Sequence, residues 1–349
     1  MTTALIINYL LAFMPVLILL GVFAWLDVFH LLNRREMITL IALGGIAAGL
    51  SYPVSGRMLD ALPLGFSSYS RFVAPWIEEA LKGAVVVLLF LRNRIGFKID
   101  AALSGLAIGA GFSLVENCIY LVHAPQMSPG VWMVRGAGTA LMHGGTVAIM
   151  AALSHQVGEH DLLIKAGEWR PHPLAYIPGY LVAVALHLGF NQFPSQPLVA
   201  MVLSLVLVPV LLMAIFSFGA REAGNLLKVE SAEHLADLDH LENGRFPDTD
   251  SGRRMQAYVA EHPELSSAVL EYWRILNQTV LSAERRMLER THGQWLDREA
   301  EQDEARLGRL DALERDFDPH VLRTVTRLLP FSRNDHWEIA ELREQLERK

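Results

Sequence analysis

Six polar residues stand in stretches that are otherwise apolar enough to cross a membrane: Glu78, Glu79, Glu116, His143, His187 and Asn191. Carboxylates and imidazoles are the groups that ligate metal ions and move protons. Placing an ionisable group at the centre of a bilayer costs roughly 2.5–3.5 kcal/mol on insertion scales, so such residues mark function. Two His and one Glu on rigid helices match the ligand set of a catalytic zinc that keeps a fourth position open for water. Zinc brings the pKa of that water to about 7, and a neighbouring carboxylate then serves as general base. On this reading Glu116, His143 and His187 are the metal ligands, Glu78 or Glu79 is the base, and Asn191 donates to the developing oxyanion. The plainer reading is that these residues pair with one another and only hold helices together.

Spacing adds to the pattern. Glu78 and Lys82 lie four apart, so they can share a helix face, where Lys82 can partly neutralise the carboxylates. His187 and Asn191 share a face in the same way, and so do Phe112 and Glu116. Gly105, Gly109, Gly111, Gly144 and Gly145 let neighbouring helices approach closely around them. Other candidates are weaker. His123 could be a secondary ligand, though an interfacial histidine explains it as well. Asp27 reads as interfacial, while His30, His155, His160 and His172 fall in loops. The single cysteine, Cys118, excludes an intramolecular disulfide and reads as a small buried hydrophobe. Gly109-Ala110-Gly111 follows no strand and is no phosphate loop. Ser104 and Ser113 have no histidine nearby in sequence, which leaves a serine nucleophile unsupported.

The elements that must position these residues follow from composition. Residues 1–220 carry 11 Lys/Arg and 10 Asp/Glu, whereas the remaining 129 carry 19 and 27. So few charges over 220 residues mean lipid-facing surface. The net charge of −7 belongs to the tail and argues against nucleic-acid binding, which needs a basic footprint. A helix needs roughly 20 apolar residues to cross the hydrocarbon. Runs of that kind lie near 5–29, 37–54, 72–91, 99–122, 132–154, 174–193 and 197–219, the second interrupted by Gly44, Gly45 and Gly49. The fold class is therefore all-α, a polytopic bundle of about seven spans in 1–220, followed by a soluble, acidic helical domain in 221–349. The first span lacks a basic leader and a small-residue cleavage site, so it reads as retained.

Loop cations orient the bundle. With the N-terminus outside, the cytoplasmic side holds Arg34, Arg35, Arg92, Arg94, Lys98, Lys165, Arg170, Arg221 and Lys228, and the outer side only Arg57, Arg71 and Arg135. At about 1.5 Å per residue, Glu78, Glu79, Glu116 and His187 then lie roughly 9–11 Å below the outer boundary and His143 about 16 Å below it. Four helices of alternating direction place their polar residues at similar depth.

The tail reads as helix almost throughout. Val269, Tyr272, Trp273, Leu276 and Val280 have helical spacing, and the charged stretch Glu284–Arg315 suits a solvated face or a partner surface. Asp318-Pro319 signals a helix start, and Pro330 a stop before a last helix from about Asp335.

Taken in order, the motifs Glu78-Glu79-Ala80-Leu81-Lys82, Phe112 to Glu116 with Asn117, His143, and His187 with Asn191 resemble the PrsW family of membrane proteases. That family sits in the wider superfamily of CAAX prenyl endopeptidases and Abi proteins. The CAAX enzymes look similar but carry Arg in the first motif and His in the second, so Lys82 and Glu116 favour PrsW. The resemblance covers about residues 70–195 and leaves the tail out. It implies an intramembrane endopeptidase of the bacterial inner membrane that cleaves a membrane-anchored protein, such as an anti-sigma factor, on its extracytoplasmic side. It leaves a carboxylate-only mechanism open beside the zinc-dependent one. Two other classes remain. An ion- or proton-coupled transporter could use the same buried cluster, though spans three to six look bare of polar residues toward the cytoplasm. A non-catalytic scaffold could recruit a cytoplasmic partner through its tail.

Overall fold

A computed structural model describes residues 3–26, 34–159, 172–193, 196–291 and 300–347. Among them there is no strand. Asp27, His30, His160, Lys165 and Arg170 lie outside the described residues. The chain divides into two compact units that meet in sequence between Ala220 and Arg221.

The first unit comprises α1 (Thr3–Leu26), α2 (Arg34–Ala61), the short α3 (Phe66–Phe72), α4 (Ala74–Leu91), α5 (Lys98–His123) and α6 (Pro129–Met133). A π-helical stretch, Val134–Thr139, leads into α7 (Ala140–Glu159); a 3-10 turn, Pro173–Tyr176, leads into α8 (Ile177–Phe190). The last helix, α9 (Pro197–Glu242), contributes its first part here. Among the described residues, six segments are long and apolar enough to cross a membrane: Leu5–Val22, Arg34–Ala61, Lys98–His123, Pro129–Gly158, Pro173–Phe190 and Pro197–Ile215. The expected third span, α4, has 18 residues. That is about 27 Å of helix, but Glu78, Glu79 and Lys82 set it apart by composition. The expected seven are thus six apolar spans and one helix of spanning length that carries charge.

The outward faces confirm a multi-pass membrane protein. Ile6, Leu10, Leu17 and Ile18 of α1, and Leu203, Val206, Val210 and Met213 of α9, are exposed. Water would not tolerate such continuous apolar bands, whereas lipid does.

At the centre runs α5, nearly every residue of which is buried from Ile99 to Ser113. It packs most extensively against α7 and α2. Glycine makes that approach feasible: a Cβ on Gly109 would fall 2.2 Å from the His143 carbonyl oxygen, and one on Gly44 1.9 Å from that of Ile108. Gly44 and Gly45 therefore mark a helix contact, whereas a Cβ on Gly49 would meet nothing, and α2 runs unbroken from Arg34 to Ala61, longer than expected. Because the obstacle beside Gly109 is the backbone of His143 itself, Gly109→Ala must push α7 away from α5. We expect a lower melting midpoint in detergent and at least a ~10-fold loss of proteolysis. A variant melting and cleaving like the parent would show the α5–α7 spacing to be adjustable.

Two local expectations are corrected. His155 lies buried in α7 rather than in a loop, and its Nε2 stands 3.0 Å from the Gly96 carbonyl. With Asp100 accepting from Gly96 N, it ties down the turn between α4 and α5. Cys118 is exposed on α5 rather than buried.

The second unit holds the rest of α9 with α10 (Asp250–Glu261), α11 (Ser266–Thr291), α12 (Ala300–Asp316), α13 (Pro319–Leu328) and α14 (Arg333–Glu347). Val269, Tyr272, Trp273, Leu276 and Val280 are all buried, in a core with Met255, Leu310, Val325 and Leu342. Asp318 caps α13 by accepting from His320 N, as the Asp-Pro pair predicts. The charged stretch is less solvated than expected. Asp303 is fully buried and takes Arg286, Arg306 and the Ser282 hydroxyl. Arg309 pairs with Glu271, and Arg343 with Asp311, each through two nitrogens.

Candidate active site

The cluster forms where α4, α5, α7 and α8 face one another. Glu79 is completely buried, and both its oxygens are engaged: Oε1 with Lys82 Nζ at 2.6 Å and His187 Nδ1 at 2.7 Å, Oε2 with the Thr146 hydroxyl at 3.2 Å. Lys82 therefore pairs with Glu79 at i,i+3 rather than with Glu78 at i,i+4. Its Nζ also stands 2.8 Å from His143 Nδ1 and 4.5 Å over the Phe112 ring. Phe112 in turn packs against His143, centroids 4.8 Å apart. The aromatic one turn from Glu116 thus forms the floor under lysine and imidazole.

The two histidines meet edge to face with centroids 5.0 Å apart. An ionised Glu79 can only accept, so the ring proton of His187 sits on Nδ1 and the Nε2 lone pair is left for another partner. That Nε2 lies 3.9 Å from Glu78 Oε2. Glu78, His143 and His187 each offer one ligand atom, and these atoms lie within 4.8 Å of one another. Glu116 approaches from α5, its Oε2 3.1 Å from His143 Nε2 and 3.2 Å from a nitrogen of Arg135.

Five of the six residues singled out in the sequence thus converge around the two imidazoles. Asn191, the sixth, follows the end of α8 at the cavity rim, where its Nδ2 donates to the Ser70 carbonyl at 2.9 Å. Asn117 points the other way and donates to Ala12 O at 2.9 Å. His123 lines the same cavity but pairs with the Tyr52 hydroxyl at 3.1 Å, outside the trio.

Sequence reasoning missed Arg135 and Thr146. Arg135 sits in the π-helical stretch, stacks on Tyr120 at 3.5 Å from its centroid and reaches Glu116. π-Helical turns recur at functional sites because they re-aim one side chain out of register. Arg135 had been counted as a loop cation, although a charge inside an apolar run was the signal used for the other residues. Thr146 carried no signal, since a threonine three residues after a histidine is ordinary in a helix.

The cluster opens into a cavity of about 680 Å³, lined by Glu78, Glu116, Arg135, His143, His187 and Asn191 among apolar and aromatic side chains. The sequence model of the PrsW family of intramembrane metalloproteases matches residues 33–217, more than half of the chain and all of this cluster. The chain belongs to the PrsW family. No curated protein and no solved structure matches it. As a PrsW-family member it is an intramembrane protease. Its substrate therefore lies in the membrane, and the charged cluster faces a cavity within the spanning bundle.

The donor set fits a metal ion, as the family's description as metalloproteases implies. One carboxylate and two imidazoles converge, and the acceptor on His187 Nδ1 is the carboxylate–histidine support that fixes a metal-binding tautomer. His143 fits under one condition. Its Nε2 has a free lone pair only when the ring proton is on Nδ1, which requires Lys82 to face it as an uncharged amine.

Proposed function

We propose that this chain is a zinc-dependent endopeptidase that cleaves membrane-anchored proteins, such as anti-sigma factors, near the extracytoplasmic side of the bacterial inner membrane. Residues 1–220 form its protease domain with the N-terminus outside. Residues 221–349 form a cytoplasmic acidic helical domain open to a protein partner. The observation that carries the reading is the gathering of Glu78, His143 and His187 ligand atoms within 4.8 Å at the wall of a cavity among spanning helices.

We infer a different division of the carboxylates from the expectation that made Glu116 a ligand and Glu78 or Glu79 the base. Glu78 joins the two histidines as the ligand trio. Glu79 is saturated by Lys82, His187 and Thr146, so it orients His187 and is not free to take a proton. Glu116 is the carboxylate left beside His143, and it is the general base. Zinc, when bound, supplies Lewis acidity and an activated water. Glu116 then takes the proton from the attacking water and passes it to the leaving amine, while Arg135 holds that carboxylate in place. The Asn191 amide, one hydrogen of which goes to Ser70, and the Arg135 guanidinium provide donors for the scissile carbonyl oxygen.

One observation favours a carboxylate-only variant. With Lys82 charged and donating to His143 Nδ1, the ring proton moves to Nε2 and is donated to Glu116, so Nε2 offers no lone pair. Purified protein in proteoliposomes with a single-span substrate separates the two. Under the zinc mechanism a chelator abolishes cleavage by ~100-fold or more and zinc restores it. Undiminished cleavage by metal-free protein would establish the carboxylate-only route.

A further inference from the structure

A second His–carboxylate cluster lies in the C-terminal unit, away from every motif of the protease reading. His234 of α9, Glu284 of α11 and Asp335 of α14 are all buried, and each offers one ligand atom within 4.8 Å of the others. His234 Nε2 lies 3.2 Å from Asp335 Oδ1 and 4.0 Å from Glu284 Oε1. Ligand atoms about 2.1 Å from a tetrahedral zinc are ~3.4 Å apart, so these separations close onto an ion with small side-chain shifts.

The remaining oxygen of each carboxylate is already held. Glu284 Oε2 accepts from the Ser231 hydroxyl at 2.6 Å, and Asp335 Oδ2 accepts from Ser332 N. His234 stacks on Phe331, centroids 5.4 Å apart, which fixes its ring. Outer contacts of this kind orient first ligands in metal sites. Glu284 Oε1 is different. The side chain is 1% exposed, yet this oxygen has no hydrogen-bond partner among the described residues and faces His234. A buried carboxylate oxygen without a donor is costly, because the water it has lost is not replaced. Two carboxylates and one neutral imidazole around a divalent cation make a neutral set.

We propose that His234, Glu284 and Asp335 bind one zinc-type divalent ion that clamps α9, α11 and α14 together in the C-terminal unit. Successive ligands are some 50 positions apart, so the ion would tie together three helices distant in sequence. Its role is structural: all three ligands are buried, and the charged arms of the unit serve other pairs.

The test uses the full chain in detergent, stripped of metal and reloaded with zinc alone. A His143→Ala/His187→Ala chain has no catalytic ligand pair, and it is expected to retain about one equivalent of zinc. Adding His234→Ala should remove that equivalent, and Glu284→Gln, which keeps the volume and the Ser231 contact, should weaken it on the order of 100-fold. Cobalt in place of zinc should give a visible spectrum that His234→Ala abolishes. Zinc should also raise the melting midpoint of the double variant, and not when Glu284→Gln is added. Failure of the catalytic-zinc reading would appear separately, as zinc content in the parent chain that His143→Ala/His187→Ala does not lower. The clamp is overturned if the double variant holds no zinc, or if Glu284→Gln folds normally and binds zinc as tightly as its parent.

Discussion

His187→Ala is expected to remove the zinc of the membrane cluster and proteolysis together. His187 is the residue whose tautomer the structure fixes: Glu79 Oε1 takes the Nδ1 proton at 2.7 Å, and Nε2 is turned toward Glu78. Removing the ring deletes one of three ligands and leaves Glu79 buried with only Lys82 and Thr146 as partners. Turnover should fall by at least ~10⁴-fold, the combined loss of Lewis acid and activated water. Glu79→Gln is the informative companion. It keeps the shape but offers either an oxygen or an NH₂ to Nδ1, so the tautomer is no longer imposed. Metal affinity should drop by ~10–100-fold, with a smaller loss of activity at saturating zinc. Zinc content and cleavage are measured on the same preparations, after size-exclusion chromatography shows each variant folded. If His187→Ala holds as much zinc as its parent, the ligand trio is wrong. If it loses activity in a protein that never held zinc, the carboxylate-only mechanism takes over.

Much of the bundle was legible in the sequence because membrane spans obey a crude rule, length and apolarity, that needs no tertiary information. The motifs on α4, α5, α7 and α8 were legible for the complementary reason: each breaks that rule. What was not legible depended on rotation about helix axes. Glu78 and Glu79 are adjacent and point about 100° apart on α4, and sequence alone does not say which faces His187 and which the cavity. Lys82 could reach either, and it chose Glu79. Arg135 escaped because a π-helical stretch shifts its register. Gly44 and Gly45 looked like breaks because their reason for being glycine is α5, the Ile108 backbone beside one and the Val115 side chain beside the other, more than 60 residues on. His234, Glu284 and Asp335 carried no local signal, being brought together only by packing of the tail helices.

Glu116→Gln and Glu78→Gln should fail in opposite ways. If Glu78 is a ligand, Glu78→Gln replaces a carboxylate by a weaker neutral oxygen. Zinc affinity should then fall by at least ~100-fold, with activity partly recovered at high zinc. If Glu116 is the base, Glu116→Gln keeps the volume and the neighbours of the side chain but cannot take a proton. Zinc content should stay at the parental level while kcat falls by ~10²–10⁴-fold, the usual contribution of general acid–base catalysis, and no excess of zinc should restore it. Arg135 sharpens the distinction. Its guanidinium reaches Glu116 and not the trio, so Arg135→Gln should lower kcat with little change in zinc content. The measurement is zinc titration by competition with a chromogenic chelator, set beside kcat on one membrane-anchored substrate. The reverse pattern, zinc lost in Glu116→Gln and retained in inactive Glu78→Gln, would restore Glu116 as ligand and Glu78 as base. It would mean that the Glu116–His143 contact at 3.1 Å becomes a shared metal edge rather than a hydrogen bond.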